Sequence, residues 1–440
     1  MRPVTDAIDG GRAAAARRAS GVIIADDLTG AADACVAFVM RGLSGAVMFG
    51  ASKTGEALAS PSLASDVIAI DTESRALAPL VAAERTGAAV RAARAAFERD
   101  GFLFKKIDST LRGPVGAEID AAMKAAGAKV AIVAPAFPEM GRIVERGLLR
   151  TSGRGAIPDL DIVQRLREEG LEGCVSVMGN HDWREALGAA QRNGARVLVC
   201  DSVEQADLEA IAAAAGDALE GRILWAGAAG LAHALAAHVT GVRRGVVMAD
   251  ETGPASGSER TIGMGRRRGD VRTMSIVFAI GSTHPVTVAQ QQRLMRDGVP
   301  IASAHIDDTL AIEHALALRL DIVVTLPHDA ADAPVARLAD LLIARERAAP
   351  GASALVMTGG DTAARLCRAL GAARIDLGGE VAPGIPWGTL SLATPPSTSP
   401  APSPAPPRSA WPVVLKAGGF GADDGLIRVR RFLMEQHERQ

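Results

Sequence analysis

Residues Gly101–Ala126 read GFLFKKIDSTLRGPVGAEIDAAMKAA, and the fold is decided here. The apolar run Phe102-Leu103-Phe104 leads into KKIDSTLRG (Lys105–Gly113), and a helix-like segment runs from Pro114 to Ala126. A short apolar run, a polar stretch and then a helix start read as a strand, the loop at its C-terminal end, and a helix. Ligands of open α/β sheets bind at such loops. Lys105, Lys106, Asp108, Ser109, Thr110 and Arg112 fall within one short loop. Solvated surface loops seldom concentrate anion-binding and carboxylate groups to this degree.

The same unit recurs on both sides. Gly21–Ala25 is a short apolar strand running into DDLTGAADACVAF, and Asp66 to Ile70 and Lys129 to Ala134 are further buried strands. Strand and helix patterns go on alternating through Arg196–Cys200, Val203–Leu219 and Arg222–Trp225. A polar, Gly- and Arg-rich stretch (248–273) interrupts them, and a second series starts with Ser275–Ile280, Asp321–Leu326, Ser353–Met357 and Val413–Lys416. Such alternation predicts an α/β protein with two α/β domains, each a mostly parallel sheet flanked by helices. The predicted domains are 21–247 and 274–440, separated by a linker at 248–273 and preceded by a disordered extension at 1–20. Prolines 395, 396, 400, 402, 404, 406 and 407 crowd the segment 394–410, which is expected to loop out unpacked.

Composition removes several classes. A length of 440 residues fits two domains better than one, and 48% hydrophobic with 22% charged residues is ordinary for a globular chain with a core. The formal net charge of -2, with 3% aromatics and no tyrosine, argues against nucleic-acid or anionic-membrane binding. No apolar run is long enough to span a bilayer. Cys35, Cys174, Cys200 and Cys367 are too scattered for a disulfide framework or zinc site, which points to a reducing cytoplasm.

Several groups can do chemistry. Adjacent carboxylates at a strand end, Asp26 and Asp27, point to different sides; one can orient or deprotonate a hydroxyl while the other caps the following helix. Thr29-Gly30 adds a hydroxyl and a place for close backbone approach. Lys105, Lys106 and Arg112 suit a carboxylate or phosphate, and Asp108 is a second hydroxyl anchor. A third strand-end loop, APAFPEMGR (134–142), brings Glu139 and Arg142. In the second series, TGGDTA (358–363), AGGFG (417–421) and Gly281-Ser282 are glycine loops after strands; free amides and a helix N-terminus favour a phosphate there. Asp361 beside a phosphate is better as a helix cap or Mg²⁺ ligand. GASKT (Gly50–Thr54) falls short of a Walker A motif because Ser52 stands where glycine belongs. No histidine spacing forms a metal site.

In order along the chain, ADDLTGAAD (25–33), KKIDSTLRGPVGAE (105–118), APAFPEMGR, GSTHPVT (281–287), TGGDTA, PGIPWG (383–388) and LKAGGFG (415–421) resemble the four-carbon acid sugar kinase family, over residues 21 to about 429. The resemblance implies an N-terminal domain for a sugar acid, a C-terminal domain for ATP and an active site in the cleft between them. It implies γ-phosphoryl transfer to the terminal hydroxyl of threonate, erythronate or a 3-oxo relative, in carbohydrate catabolism. By position, Ser282, Gly359, Gly360, Asp361, Thr362, Gly418 and Gly419 contact ATP. In this reading Arg112, with Lys105 or Lys106, holds the substrate carboxylate, while Thr29, Asp108, Ser109 and Arg142 complete the acid site. Asp26 or Asp27 handles the attacking hydroxyl, and Mg²⁺ bridges the ATP phosphates. Ala228, in GAAGL, departs from the serine usual in the family. A kinase of another small sugar acid and a catalytically dead sugar-acid sensor are the alternatives. A dehydrogenase lacks its GxGxxG fingerprint here. A homodimer is compatible with the sequence.

Overall fold

Gly21–Ala25 (β1) is buried at every residue, as expected of a β-branched run whose sheet is covered on both faces. The structure, a computed structural model, describes residues 21–49, 65–97, 101–153, 156–179, 182–241, 274–304, 308–326, 332–393 and 410–439. The extension 1–20, GASKT, the stretch 248–273 and residues 394–409 lie outside the described residues; the last residue of the proline-rich segment, Ala410, opens a strand.

Seven further strands join β1 in one parallel stack: β2 (Gly45–Phe49), β3 (Val67–Asp71), β4 (Phe102–Lys106), β5 (Val130–Ala134), and, beyond a small sheet of β6 (Arg142–Glu145), β7 (Leu148–Thr151) and β8 (Leu160–Asp161), β9 (Cys174–Val177), β10 (Val197–Cys200) and β11 (Ile223–Gly227). The second series supplies β12 (Ser275–Ile280), β13 (Ile301–Ser303), β14 (Ile322–Thr325), β15 (Ser353–Thr358), β16 (Ala372–Ala382), β17 (Ile385–Leu392) and β18 (Ala410–Lys416).

The two foreseen parallel stacks are present, but they are not separate sheets. The hairpin β16–β17 pairs antiparallel with β18 on one side and with β2 on the other. The result is one 15-stranded sheet in the order β13-β14-β12-β15-β18-β17-β16-β2-β3-β1-β4-β11-β5-β10-β9. Three antiparallel junctions separate the stacks, so their strands run in opposite senses. From β15 to β1 the sheet takes six steps. At roughly 20–25° of twist per step, some 120–150° accumulates. That rotation nearly cancels the reversal and swings the carboxyl ends of both stacks toward one another.

The helix Leu28–Val39 is buried at eleven consecutive positions, Leu28 to Phe38. Its small residues (LTGAADACVAFV) let it lie between β2, β3 and β16 and against the helices Ala229–Thr240 and Gly360–Ala369. One helix thus touches both halves of the molecule, with its N-terminus toward their meeting point.

Candidate active site

Strand ends from both halves line a single cavity of about 430 Å³. From the first half come Asp27, Thr29, Asp33, Arg75, Lys106, Asp108, Ser109, Arg112 and Arg142; from the second come Ser282, His284, Gly359 to Thr362 and Ala417 to Phe420. Of the residues singled out from the sequence, Asp26, Lys105 and Glu139 do not reach it; Glu139 lies exposed on the third loop.

Asp27 caps the helix Leu28–Val39, Oδ1 accepting from the Gly30 amide at 2.9 Å while Oδ2 accepts from Thr29 Oγ1 at 2.7 Å. Capping and cavity exposure therefore fall on one carboxylate, not on two as the sequence reading divided them. Asp26 is turned away. Arg75 grips it bidentately, Nε at 2.7 Å and Nη2 at 2.8 Å, and the same Nη2 reaches Asp27 Oδ1 at 2.7 Å. Burial disfavours the Asp26 charge, but Arg75, with Lys105 and Lys106 behind it, outweighs burial and holds the carboxyl below its ordinary range. Asp26 is 1% exposed and acts on the cavity only through Arg75.

Lys105 is the second correction. Its side chain is fully buried and its Nζ lies 3.1 Å from Glu118 Oε2, itself 1% exposed. Glu118 Oε1 accepts in turn from Ser74 Oγ at 2.5 Å and Thr86 Oγ1 at 3.1 Å. The next residue, Lys106, points to the opposite face of the strand and lines the cavity, one donor tied to the Ile107 carbonyl at 2.9 Å.

Asp108 and Arg112 are locked together by Nε at 2.9 Å and Nη2 at 2.6 Å, with Thr110 Oγ1 adding 2.5 Å. Burial pushes the Asp108 carboxyl up, but the Arg112 hydrogen bonds, Arg75 and Thr110 bring it well below the usual range. The Arg112 charge is thereby largely spent, although its side chain is 67% exposed. Arg142 is different. Its Nη1 donates to the Met140 carbonyl and its buried Nε has no partner among the described residues. Burial, only partly offset by Asp108, lowers its pKa. This guanidinium is the one best placed to take an outside anion.

The second half presents backbone. Gly359 adopts φ +92°, open to glycine and strained for other residues, and it precedes the helix Gly360–Ala369. Any side chain at Gly360 would overlap Asp27 Oδ2, so this helix N-terminus abuts the Asp27 carboxylate. Asp361 lies in the helix's first turn and is exposed; the cap is Gly359, which corrects the reading of Asp361 as a cap. His284 caps the helix Pro285–Arg296, Nδ1 accepting from the Val286 amide at 3.2 Å. Burial, then Lys416, Arg142 and Arg112, lowers its pKa, so the ring is neutral near pH 7.

Lys416 is fully buried beneath the glycine loop. It donates to Thr287 Oγ1 (3.2 Å), the Ala417 carbonyl (3.0 Å) and the Gly418 carbonyl (3.2 Å). Its bonds draw these carbonyls inward, and neither the Gly418 nor the Gly419 amide donates to a backbone carbonyl among the described residues. Burial lowers the ammonium from 10.5 to about 7. The unfolded chain keeps this proton to about pH 10.5 and the folded chain loses it near 7, so the burial penalty is full below pH 7 and fades as pH rises between the two. The stability of Lys416→Met relative to wild type, measured by urea unfolding without nucleotide, is therefore expected to be more favourable at about pH 6 than at about pH 9. A difference that does not change with pH would contradict it.

Arg75, Asp33 and Lys416 escaped the sequence reading. Arg75 had a signal, because AIDTESR (69–75) is another polar stretch leaving a buried strand. Asp33 follows Thr29 by one helical turn, and Lys416 ends the strand before a glycine loop.

The family profile described as a sugar-binding N-terminal domain matches residues 21–161 and 161–235, and that of a nucleotide-binding C-terminal domain matches 277–426. A D-threonate kinase of Bordetella bronchiseptica is 34% identical over 94% of this chain and 97% of its own. A 3-oxo-tetronate kinase of Cupriavidus necator is 26% identical over 91% and 94%. A D-erythronate kinase of Heliobacterium modesticaldum is 34% identical, over 43% and 47%. Solved structures of proteins from Salmonella typhimurium and Haemophilus influenzae superpose with TM-scores of 0.66 and 0.60. They cover 93% of this chain in each case, and 98% and 99% of those chains, at 22% and 21% identity, a likeness of fold.

Proposed function

Because the chain belongs to the four-carbon acid sugar kinase family, we propose that its cavity binds MgATP and a four-carbon sugar acid and transfers the γ-phosphoryl group to the acid's terminal hydroxyl. The observation that carries this reading is the abutment of Asp27 on the N-terminus of the helix Gly360–Ala369. It sets a hydroxyl-handling carboxylate beside a natural phosphate site. Phosphoryl transfer needs positioning and charge neutralisation more than covalent catalysis, and the lining supplies both. Arg142, and not Arg112 with Lys105, holds the substrate carboxylate; Lys106, Ser109 and Thr29 face the hydroxylated chain. Ser282, the amides of Gly360 to Thr362, and Gly418-Gly419 hold the phosphates, while the Gly359 amide is tied to the Lys416 carbonyl at 3.0 Å.

For Mg²⁺, Asp27 and Asp361 both line the cavity, and their carboxylates would supply hard-oxygen donors of the kind that share this ion with phosphates and water. No cluster of three or more His, Cys, Asp or Glu among the described residues is arranged to hold a metal alone. The ion would neutralise charge on the transferring phosphoryl. Four buried, free thiols and the metabolic chemistry support a cytoplasmic setting.

ADP release with MgATP against D-threonate, erythronate and 3-oxo-tetronate tests the reading. D-threonate comes first because relatives so named align over nearly the whole chain. Turnover with one acid is expected; ATP binding without turnover of any acid would point to a sensor. Within that assay, Arg142→Ala is expected to raise KM for the acid by on the order of 10- to 100-fold, since it removes a charge-assisted anion contact. Arg112→Ala should raise it less, because Asp108 already neutralises that group. An unchanged KM for Arg142→Ala would remove it from the acid site.

A further inference from the structure

One buried group on the cavity wall has no use in the scheme above. Asp33 lies on the helix Leu28–Val39, lines the cavity and is 5% exposed. Its Oδ1 is sealed from solvent and has no hydrogen-bond partner among the described residues. Orphaned buried carboxylate oxygens are costly, and a protein retains one where a ligand completes it. Burial pushes this carboxyl up to about 6, with Lys106 pulling down and Asp27 adding upward. It is thus ionised above that range, poorly hydrated and a strong acceptor. Asp27 does not compete for the same ligand atom. It abuts the nucleotide side, and Asp33 sits six residues further along the helix, roughly 9 Å along its axis. Asp33 shares a face with Thr29, four residues earlier, and helical side chains lean back toward the N-terminus. Its carboxylate therefore reaches toward the cavity beyond Asp27.

Resting on the sugar-acid kinase reading, we propose that Asp33 selects the substrate: its carboxylate accepts a hydrogen bond from a hydroxyl of the bound acid other than the one that is phosphorylated. In threonate and erythronate every carbon beyond the carboxylate carries a hydroxyl, and 3-oxo-tetronate keeps one at C2, so an acid held by Arg142 at one end and Asp27 at the other has a hydroxyl to offer this wall. A site whose buried acceptor is built for a hydroxyl discriminates against analogues that lack it.

The test is a cycle of two proteins and three acids: wild type and Asp33→Ala, each with the preferred tetronic acid and its 2-deoxy and 3-deoxy forms. Asp33→Ala is expected to lower kcat/KM for the full acid by on the order of 10- to 100-fold. For one deoxy acid the two proteins should agree within about twofold, because the partner hydroxyl is already gone. Asp33→Leu, which keeps the volume without the acceptor, should repeat the pattern if the alanine variant folds poorly. An equal loss for all three acids would overturn this inference and leave the kinase reading intact. A wild type that turns over no acid would overturn both.

Discussion

Replacing Asp27 by asparagine is expected to lower kcat by on the order of 10²–10⁴, while the helix cap survives. Asparagine caps helices about as well as aspartate, so the Gly30 amide keeps its acceptor. What changes is the charge offered to a substrate hydroxyl and to Arg75. An amide that must also face Arg75 Nη2 and Thr29 Oγ1, now at 2.7 Å each, can no longer accept from all of them and from a ligand. Steady-state ADP release, read beside a thermal melt, separates the two effects. A variant with wild-type kcat would show that the phosphoryl acceptor is positioned elsewhere. Asp26→Asn provides the contrast. It loosens Arg75 from behind and is expected to reduce stability first.

Lys105→Met should cost about 3–5 kcal/mol of stability, the usual consequence of stranding one member of a buried ion pair. Glu118, 1% exposed, would retain Ser74 and Thr86 as partners but lose its counter-charge. Removing both charges, as Lys105→Met with Glu118→Leu, should recover much of that loss, since a well-packed apolar pair is often as stable as the ion pair. Urea unfolding of the two single variants and the double variant measures this. If Lys105→Met unfolds like wild type and raises KM instead, the lysine belongs to the ligand site after all.

These two residues also show how far sequence carries. Strand-end loops were legible because parallel strands covered on both faces produce uninterrupted apolar runs, and a break to polar residues then marks the carboxyl end. Asp27, Lys106, Asp108 and Arg142 follow from that rule. Parity was legible too: Lys105 and Lys106 must face opposite ways. Which face held the cavity was not, because that depends on where helices from distant parts of the chain pack. The hairpin β16–β17 left a weaker trace, since register shifts at Ala372/Arg374, Leu377/Gly379 and Glu380/Ala382 break the alternation that announces an exposed strand. Arg75 was missed because its strand was recognised and the loop after it was passed over.

The hairpin that fuses the two stacks has a further effect, on what the protein shows to its neighbours. An unpaired strand edge is a template for aggregation. Without β16 and β17, the flanks of β2 and β18 would be two such edges, and β2 is buried at four of its five positions. With them in place the large sheet ends only at β13 and β9, strands of 3 and 4 residues, too short to recruit another chain well. The element that carries the sheet across the molecule also keeps it from growing, and a first half expressed alone would present β2 as an adhesive border.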